Sequence, residues 1–262
     1  MSSSFPLIAV DVGNSRMKLG LFVNDPGDDW PEPRSCLQLK GDEPQLDSIE
    51  PALLNAAHGA VSWWIGSVNR PLASRLVDWL HVHRPDERIT MLASGDLPLC
   101  VALDRPDMVG IDRLLDAVAA NYLRSPDNPA VVVDVGSAIT VNLISRGGAF
   151  LGGAIMPGIG MSARALHAFT DLLPLIDVTE LADPPPPLGT ATVPAMKSGL
   201  FWGAIGAVGE LIRRLGAEVQ GQLEVFLTGG ASPVVAELLG DKARCVPNLT
   251  LSGIALAAKA LG

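Results

Sequence analysis

The sequence contains few of the residues that mark secreted, metal-binding or membrane proteins. Its three cysteines, Cys36, Cys100 and Cys245, are too widely spaced to form a metal or redox pair. We therefore expect reduced thiols in a cytoplasmic protein. The longest apolar run, residues 199–209, is too short to span a bilayer, so no membrane association is expected. No basic region precedes the N-terminal apolar segment, and we expect no signal peptide.

Basic residues are also scarce. The chain has 19 Lys and Arg against 28 Asp and Glu, a net charge of −9, which argues against nucleic-acid binding through a basic face. A nucleotide ligand is still possible, because a metal ion and a few backbone amides can hold phosphates on an acidic protein. Hydrophobic residues make up 48% of the chain, enough to predict a buried core in one large domain or two modest ones.

One sequence pattern occurs twice, about half a chain apart. LIAVDVGNSRMKLGLF occupies residues 7–22, and AVVVDVGSAITVNLIS occupies residues 130–145. Each copy predicts a buried strand that ends at Asp-Val-Gly, a tight turn, and a second strand with period two. The two aspartates, Asp11 and Asp134, hold corresponding positions. A duplicated α/β unit explains this repeat better than a solenoid, because the period is too long.

The segments between and after the repeats alternate between helical and strand patterns, which predicts an α/β protein. The clearest helix covers residues 111–123, and Pro and Asp residues then stop it. We place the boundary there, with an N-terminal half over 1–125 and a C-terminal half over 126–262. We also predict strands at 62–69, 89–94, 149–158 and 223–227, helices at 71–83, 161–174 and 193–215, a final helical run, a loop with one edge strand at 24–50, and an exposed polyproline connector at 182–189.

The Asp-x-Gly turn suits phosphate binding. A carboxylate at the end of a buried strand is costly without a partner, and water on a magnesium ion is one such partner. Gly13 allows close backbone approach, Asn14 and Ser15 can donate to phosphate oxygens, and Lys18 adds a point charge. A plain hairpin turn is the alternative for a single copy. Two copies favour a pair of hairpins that clamp a nucleotide phosphate tail in a cleft between the halves.

Other candidates are weaker on their own. Asp112, at the start of the best helix, could act as general base on an acceptor hydroxyl, or could merely stabilise the helix N-terminus. His81 and His83 are expected to be solvated at a helix end and not to bind metal. Residues 228–230, Thr-Gly-Gly, follow a strand, where ligands bind in α/β folds. The glycines of residues 199–209 are interpreted as core helix packing.

Together these motifs resemble those of the type III pantothenate kinases, of the acetate and sugar kinase/Hsp70/actin superfamily. The phosphate motifs are D-V-G-N-S-R-M-K at 11–18 and D-V-G-S-A-I-T at 134–140, and the pantothenate motif is G-I-D-R at 110–113. Further similar motifs follow: G-G-A-I-M-P-G (152–158), T-V-P-A-M-K-S-G (192–199), T-G-G (228–230) and P-N-L-T-L-S-G-I (247–254). Each is weak alone, but their order and spacing are specific.

The resemblance implies a fold of two duplicated ribonuclease H-like (actin-like ATPase) domains with a nucleotide cleft between them. It implies ATP-dependent phosphorylation of pantothenate to 4′-phosphopantothenate, the first step of coenzyme A biosynthesis, by a homodimer. Asp112 would accept the hydroxyl proton, Asp11 would hold Mg²⁺ through water, and Asp134 would ligate a monovalent cation, K⁺ or NH₄⁺. The implied ATP contacts are Asp11, Val12, Gly13, Asn14, Ser15, Arg16, Met17, Lys18 and Ser137, and the implied pantothenate contacts are Gly110, Ile111, Asp112, Arg113 and Thr192.

The chain departs from the family pattern at several positions. Ser15 and Ser137 replace the usual threonines and keep the hydroxyl. Leu103 stands where many members carry a pantothenate-contacting tyrosine, and the one tyrosine of the chain is Tyr122. Ala191 and Ala195 replace a frequent Asn and Ser. Two other functions remain as alternatives: a phosphohydrolase on the same fold, and a non-catalytic relative that assists transcription.

Overall fold

The computed structural model describes residues 4–27, 29–41, 43–56, 59–177, 183–240 and 243–262. The chain forms two compact units. The first contains Met1–Leu123 together with Asn248–Gly262, and the second contains Arg124–Pro247. No helix among the described residues is long and apolar enough to cross a membrane.

The described residues form ten strands and seven α-helices. The strands are β1 (Leu7–Val12), β2 (Arg16–Phe22), β3 (Ser35–Lys40), β4 (Ser62–Ser67), β5 (Ile89–Met91), β6 (Ala130–Val135), β7 (Ala138–Ile144), β8 (Phe150–Pro157), β9 (Glu224–Thr228) and β10 (Ala243–Cys245). The helices are α1 (Ile49–Ala52), α2 (Arg70–His83), α3 (Ile111–Leu123), α4 (Ile159–Ala168), α5 (Thr192–Ala217), α6 (Ser232–Leu239) and α7 (Leu249–Leu261).

The two units contain sheets of identical topology. The first sheet has the order β3-β2-β1-β4-β5, and the second has the order β8-β7-β6-β9-β10. In each sheet the first three strands of the unit pair antiparallel, and the remaining two continue the sheet in parallel from its first strand. This equivalence confirms the duplicated α/β unit predicted from the repeated sequence and the ribonuclease H-like fold that the family resemblance implies.

The central strands are apolar on both faces because helices cover the sheets. In β1 the residues Leu7–Val10 are fully buried, and only Asp11 near the strand end is half-buried. Strand β6 repeats this pattern and ends at half-buried Asp134. Continuous apolar runs are typical of strands buried on both faces. Each aspartate is therefore the one half-buried residue of an otherwise buried strand.

The last helix departs from the predicted domain boundary. We had placed residues 126–262 in the second half, but α7 belongs to the first unit and packs on β1 and α3. Gly253 lies so close to the backbone of Leu115 that an added Cβ would collide with the carbonyl oxygen. Nine residues of α7 are buried, because the helix packs against the first sheet and α3.

Local predictions differ in accuracy. The helix 111–123 is confirmed at both ends, and β3 is the predicted edge strand in residues 24–50. The short strand β10 was missed, because three residues carry little periodicity. The connector before α5 is exposed where described, but the carbonyls of Pro185 and Pro187 accept hydrogen bonds from Trp202 and Ser198 of α5. Residue 182 of this connector lies outside the described residues.

The prediction that glycines in residues 199–209 serve core packing is wrong for three of them. An added Cβ at Gly199, Gly203 or Gly206 would meet nothing within 4 Å. All three are exposed and spaced four and three residues apart, so they form one open face of α5.

Candidate active site

The first hairpin places Asp11 and Lys18 opposite each other. They are paired positions of β1 and β2, and both side chains are half-buried. The turn closes where the amide of Gly13 donates to the carbonyl of Arg16 at 3.0 Å. A Cβ at Gly13 would lie only 3.1 Å from that same oxygen, so the close turn favours glycine. Asn14 and Ser15 are exposed at its tip.

The strand alternation divides the predicted ATP contacts of this hairpin into two sets. Val12 and Met17 are completely buried in the core of the first unit, so they can offer a ligand only backbone atoms. Arg16 and Lys18 are half-buried, two residues apart on β2, and point to the opposite face. The hairpin thus supplies one carboxylate, two cations and a turn of backbone amides.

The second hairpin repeats this design with a shorter turn. The amide of Gly136 donates to the carbonyl of Ala138 at 3.1 Å. Three residues separate the paired positions Val135 and Ile139, whereas four separate the last paired positions of the first hairpin. Ser137 is half-buried within this turn. The two turns are therefore related but not identical.

Two glycine turns lie against Asp134 and Ser137. Gly229 has a φ of +95°, and a Cβ added there would collide with Oδ1 of Asp134. Gly158 donates its amide to the carbonyl of Ser137 at 3.0 Å, and a Cβ there would collide with the backbone of the second hairpin. Glycine is needed at both places for close approach. The Thr-Gly-Gly and Pro-Gly motifs thus build the surroundings of Asp134, a role that was not assigned to Gly158 or Gly229 from the sequence.

Asp112 lies in the first turn of α3 and is half-buried. Its Oδ1 accepts the amide of Arg113 at 2.8 Å, and a Cβ at Gly110 would lie 2.6 Å from this oxygen. Burial raises the pKa of Asp112 above its ordinary value, while the Arg113 amide and the charges of Arg113 and Lys18 act in the opposite direction. Burial also lowers the pKa of Arg113. Lys18 of the first hairpin makes the smallest of these contributions and lies in the same unit as Asp112.

Thr192 is the first residue of α5 and is exposed. It lines a cavity of about 760 Å³ in the second unit, together with Pro157, Ser162, Phe169 and Leu200. The lining is mostly apolar, with a few hydroxyl groups, as is common in sites for small organic ligands. Leu103, which replaces the family tyrosine, is partly exposed in the loop before α3 of the first unit.

The structure brings the predicted residues together in two groups. Asp11, Lys18 and Asp112 with its neighbours belong to the first unit, and Asp134, Ser137 and Thr192 belong to the second. No group of three or more His, Cys, Asp or Glu side chains that could hold a metal ion occurs in the described part of the chain. His83 instead stacks on Trp79 and contacts its carbonyl at 2.9 Å.

Two equivalent sheets, each with an Asp-x-Gly hairpin at the end of its first strand, define the duplicated ribonuclease H-like class of nucleotide-dependent phosphotransferases and ATPases. The sequence profile of "Type III pantothenate kinase" matches residues 7–214. A type III pantothenate kinase of Dehalococcoides mccartyi is 34% identical over 95% of both chains. The chain belongs to the type III pantothenate kinase family, and it is therefore a kinase.

Other comparisons agree with this assignment. A type III pantothenate kinase of Acidiphilium cryptum is 36% identical over 69% of this chain, and the aligned part spans 65% of that relative. The crystal structure of a Baf family protein from Campylobacter jejuni is similar over 97% of this chain and 98% of its own, with a TM-score of 0.59 and 22% identity. At that identity the structural likeness shows the fold alone.

Proposed function

We propose that this protein transfers the γ-phosphoryl group of ATP to the hydroxyl of pantothenate and forms 4′-phosphopantothenate, the first step of coenzyme A biosynthesis. The observation that carries the proposal is the presence of Asp112 and the first hairpin in the same unit. The half-buried carboxylate of Asp112 has a raised pKa, and the charge of Lys18 acts on it. Lys18 pairs with Asp11 in the first hairpin. A base for an acceptor hydroxyl and a phosphate-binding turn thus lie within the same unit.

In the proposed reaction the pantothenate hydroxyl oxygen attacks the γ-phosphorus of ATP. The bond between the γ-phosphorus and the oxygen that bridges it to the β-phosphate breaks at the same time. Asp112 takes the hydroxyl proton, and ADP leaves. Gly110, Ile111 and Arg113 shape the pantothenate site beside it. Positioning and charge neutralisation contribute most of the rate in such transfers, and proton transfer to the base contributes less.

The first hairpin suits ATP and Mg²⁺. Magnesium prefers oxygen ligands and keeps several waters, so one carboxylate at Asp11 and the ATP phosphates are an appropriate donor set. When bound, Mg²⁺ neutralises phosphate charge. The exposed turn residues Asn14 and Ser15 offer amides and a hydroxyl, Arg16 and Lys18 offer positive charge, and Val12 and Met17 contribute backbone only. We assign Ser137 of the second hairpin to ATP as well.

We assign the monovalent cation, K⁺ or NH₄⁺, to Asp134. Its carboxylate lies against Gly229 and within 3.6 Å of a Cβ built on Gly136, so glycines pack closely around it, and its Oδ1 is buried. A carboxylate among backbone carbonyls is a suitable oxygen donor set for a hard cation. Asp134→Asn should therefore weaken activation by potassium more than it weakens ATP binding.

A homodimer is part of the proposal. Large apolar side chains of the second unit are strongly exposed: Phe169, which lines the Thr192 cavity, at 87%, Leu172 at 85% and Leu188 at 77%. Exposed apolar patches of this kind mark association surfaces. The open glycine face of α5, formed by Gly199, Gly203 and Gly206, would let a helix of a second copy approach closely. We propose that this second copy covers the cavity and completes the pantothenate site at Thr192.

We also propose a cytoplasmic location. The cysteines Cys36, Cys100 and Cys245 are all free thiols, as expected in a reducing compartment.

The test is ADP release by the purified protein with ATP and Mg²⁺, with pantothenate and potassium added separately and together. We expect release that needs both, and 4′-phosphopantothenate as a product detectable by mass spectrometry. Release without pantothenate would indicate a phosphohydrolase or another acceptor. Bound ATP without release under any condition would favour the non-catalytic alternative.

A further inference from the structure

Asp116 is a buried carboxylate that the proposed reaction does not use. It lies one helical turn after Asp112 on α3 and is only 1% exposed. Residues four apart lie on the same face of a helix, so Asp116 lies on the same face of α3 as the proposed base. A buried carboxylate costs free energy, and well-packed apolar residues in its place are often neutral or stabilising. Stability alone therefore does not account for an aspartate here.

The carboxylate accepts a hydrogen bond from the hydroxyl of Thr250 at 2.7 Å. Thr250 is 5% exposed and lies in the first turn of α7, 134 residues further along the chain. Asn248, just before α7, has a φ of +57° and is the one described non-glycine residue in the left-handed region. This conformation, which asparagine tolerates better than most residues, sets where α7 begins and hence where Thr250 lies.

Most of the buried contact between α3 and α7 is apolar. Apart from Asp116, Thr250 and Ser252, the buried residues of these two helices are Ala, Gly, Ile, Leu and Val. Apolar packing tolerates small shifts of one helix along another more readily than a short hydrogen bond does. Ser252 donates to the carbonyl of Pro31 at 2.8 Å and so does not join the two helices. The Thr250–Asp116 bond is thus a directional contact between α3 and α7.

We infer that Asp116 and Thr250 are positioning residues, which hold the first turn of α3 in the register that aims Asp112 at the acceptor hydroxyl. The inference rests on the proposed function, because it assigns a consequence to the placement of Asp112. A displacement of about 1 Å in a reacting group can cost about 10²-fold in rate. Helix α7 thereby controls the position of Asp112 indirectly, through Asp116.

The test compares Thr250→Val, which keeps the shape and removes the donor, with Thr250→Ser, which keeps the hydroxyl. Ser252→Ala is the matched control, since it removes another buried hydrogen bond of α7 without touching α3. We expect Thr250→Val to lower kcat by about 10-fold or more with little change in KM for ATP. Thr250→Ser and Ser252→Ala should keep most of kcat, although Ser252→Ala lowers Tm. Thr250→Ala, which has a higher helix propensity, replaces the valine variant if that one does not fold.

Hydrogen exchange of the amides of residues 112–115 provides a readout that does not depend on turnover. Exchange there should become faster in Thr250→Val and stay unchanged in Ser252→Ala. If both variants lose Tm but keep kcat and exchange rates, the Thr250–Asp116 bond is only structural and the inference is wrong. If the unmodified protein forms no ADP with pantothenate, the proposed function is wrong. Unchanged hydrogen exchange in Thr250→Val would overturn the positioning role, whatever the result of the ADP assay.

Discussion

Asp112 combines two features that suit a general base. Burial raises its pKa, which makes its carboxylate a stronger proton acceptor, and the Arg113 amide and the charges of Arg113 and Lys18 oppose this rise. Asp112→Asn keeps the shape and removes the basic oxygen. We expect kcat to fall by about 10²–10⁴-fold while the Kd for ATP, measured by calorimetry, changes little. Equal loss of ATP binding would show that Asp112 is structural.

The pH dependence of the reaction should report the same carboxylate. A base must be deprotonated, so kcat/KM for pantothenate falls as the pH drops through the pKa of Asp112. Because that pKa is raised, the fall should begin at a higher pH than for an ordinary aspartate. Lys18→Met removes a charge that lowers the pKa, so its pH profile should shift further upward. A profile with an unchanged midpoint in the variant would contradict this coupling.

Glu87 supports the first unit away from the candidate site. Its side chain is 4% exposed and accepts hydrogen bonds from Trp63 at 2.7 Å, from the amide of Val61 at 3.3 Å, and from Arg84. Burial opposes ionisation, but these hydrogen bonds together with the charge of Arg84 outweigh it and lower the pKa of Glu87. A lowered pKa means that the ionised form stabilises the fold above the unfolded-state pKa, and that this contribution disappears as the pH falls through the folded-state value.

Glu87→Gln should therefore lower the free energy of unfolding by about 1–3 kcal/mol at pH 7. The difference from the unmodified protein should shrink in urea titrations as the pH falls below about 4.3. Glu210 is the control: Arg213 and Arg214 lower its pKa to about 2, but all three side chains are exposed at the surface. Glu210→Gln should have a much smaller effect, because solvent screens exposed ion pairs. Equal effects of both variants would refute the role assigned to burial.

At the level of elements, the contact between α3 and α7 depends on one glycine. A Cβ at Gly253 would collide with the carbonyl oxygen and carbon of Leu115, and these backbone atoms cannot rotate away as a side chain could. We expect Gly253→Ala to reduce the free energy of unfolding by about 1–3 kcal/mol, although alanine favours helices more than glycine does.

The control for this substitution is Gly95→Ala, since a Cβ at Gly95 meets nothing within 4 Å. Thermal unfolding of the two variants distinguishes collision from a general effect of added side chains. If Gly253→Ala is as stable as the control, the two helices do not pack as closely as the structure places them.

At the level of the whole molecule, the exposed face of α5 decides whether the proposed dimer forms. Gly203→Arg places a long charged side chain on the open glycine face and should convert the dimer to monomers in light scattering. Activity should fall with it if a second copy completes the site at Thr192. Gly95→Arg, at another exposed glycine with free space around it, should leave the mass unchanged. An unmodified protein that is monomeric at micromolar concentration would contradict the proposal.

Much of the fold could be predicted because the main signals are local. The repeated hairpins follow from strand alternation and the Asp-Val-Gly turn, and α3 follows from apolar spacing over thirteen residues. Among the features that escaped prediction, β10 is too short to show a period, Gly203 lies on an open helix face, and α7 belongs to the first unit. The last two depend on which surfaces meet, and a local pattern carries no information about that.

The sequence by itself determined the duplication, the fold class, the family and the candidate base, because these depend on residue order and spacing along the chain. Only the tertiary structure decided that Gly229 lies against Asp134, that Glu87 holds Trp63, and that Thr250 bonds to Asp116. The physical reason is that burial and hydrogen bonding couple residues distant in sequence. Asp116 therefore gains its hydrogen-bond partner only when α7 packs on α3.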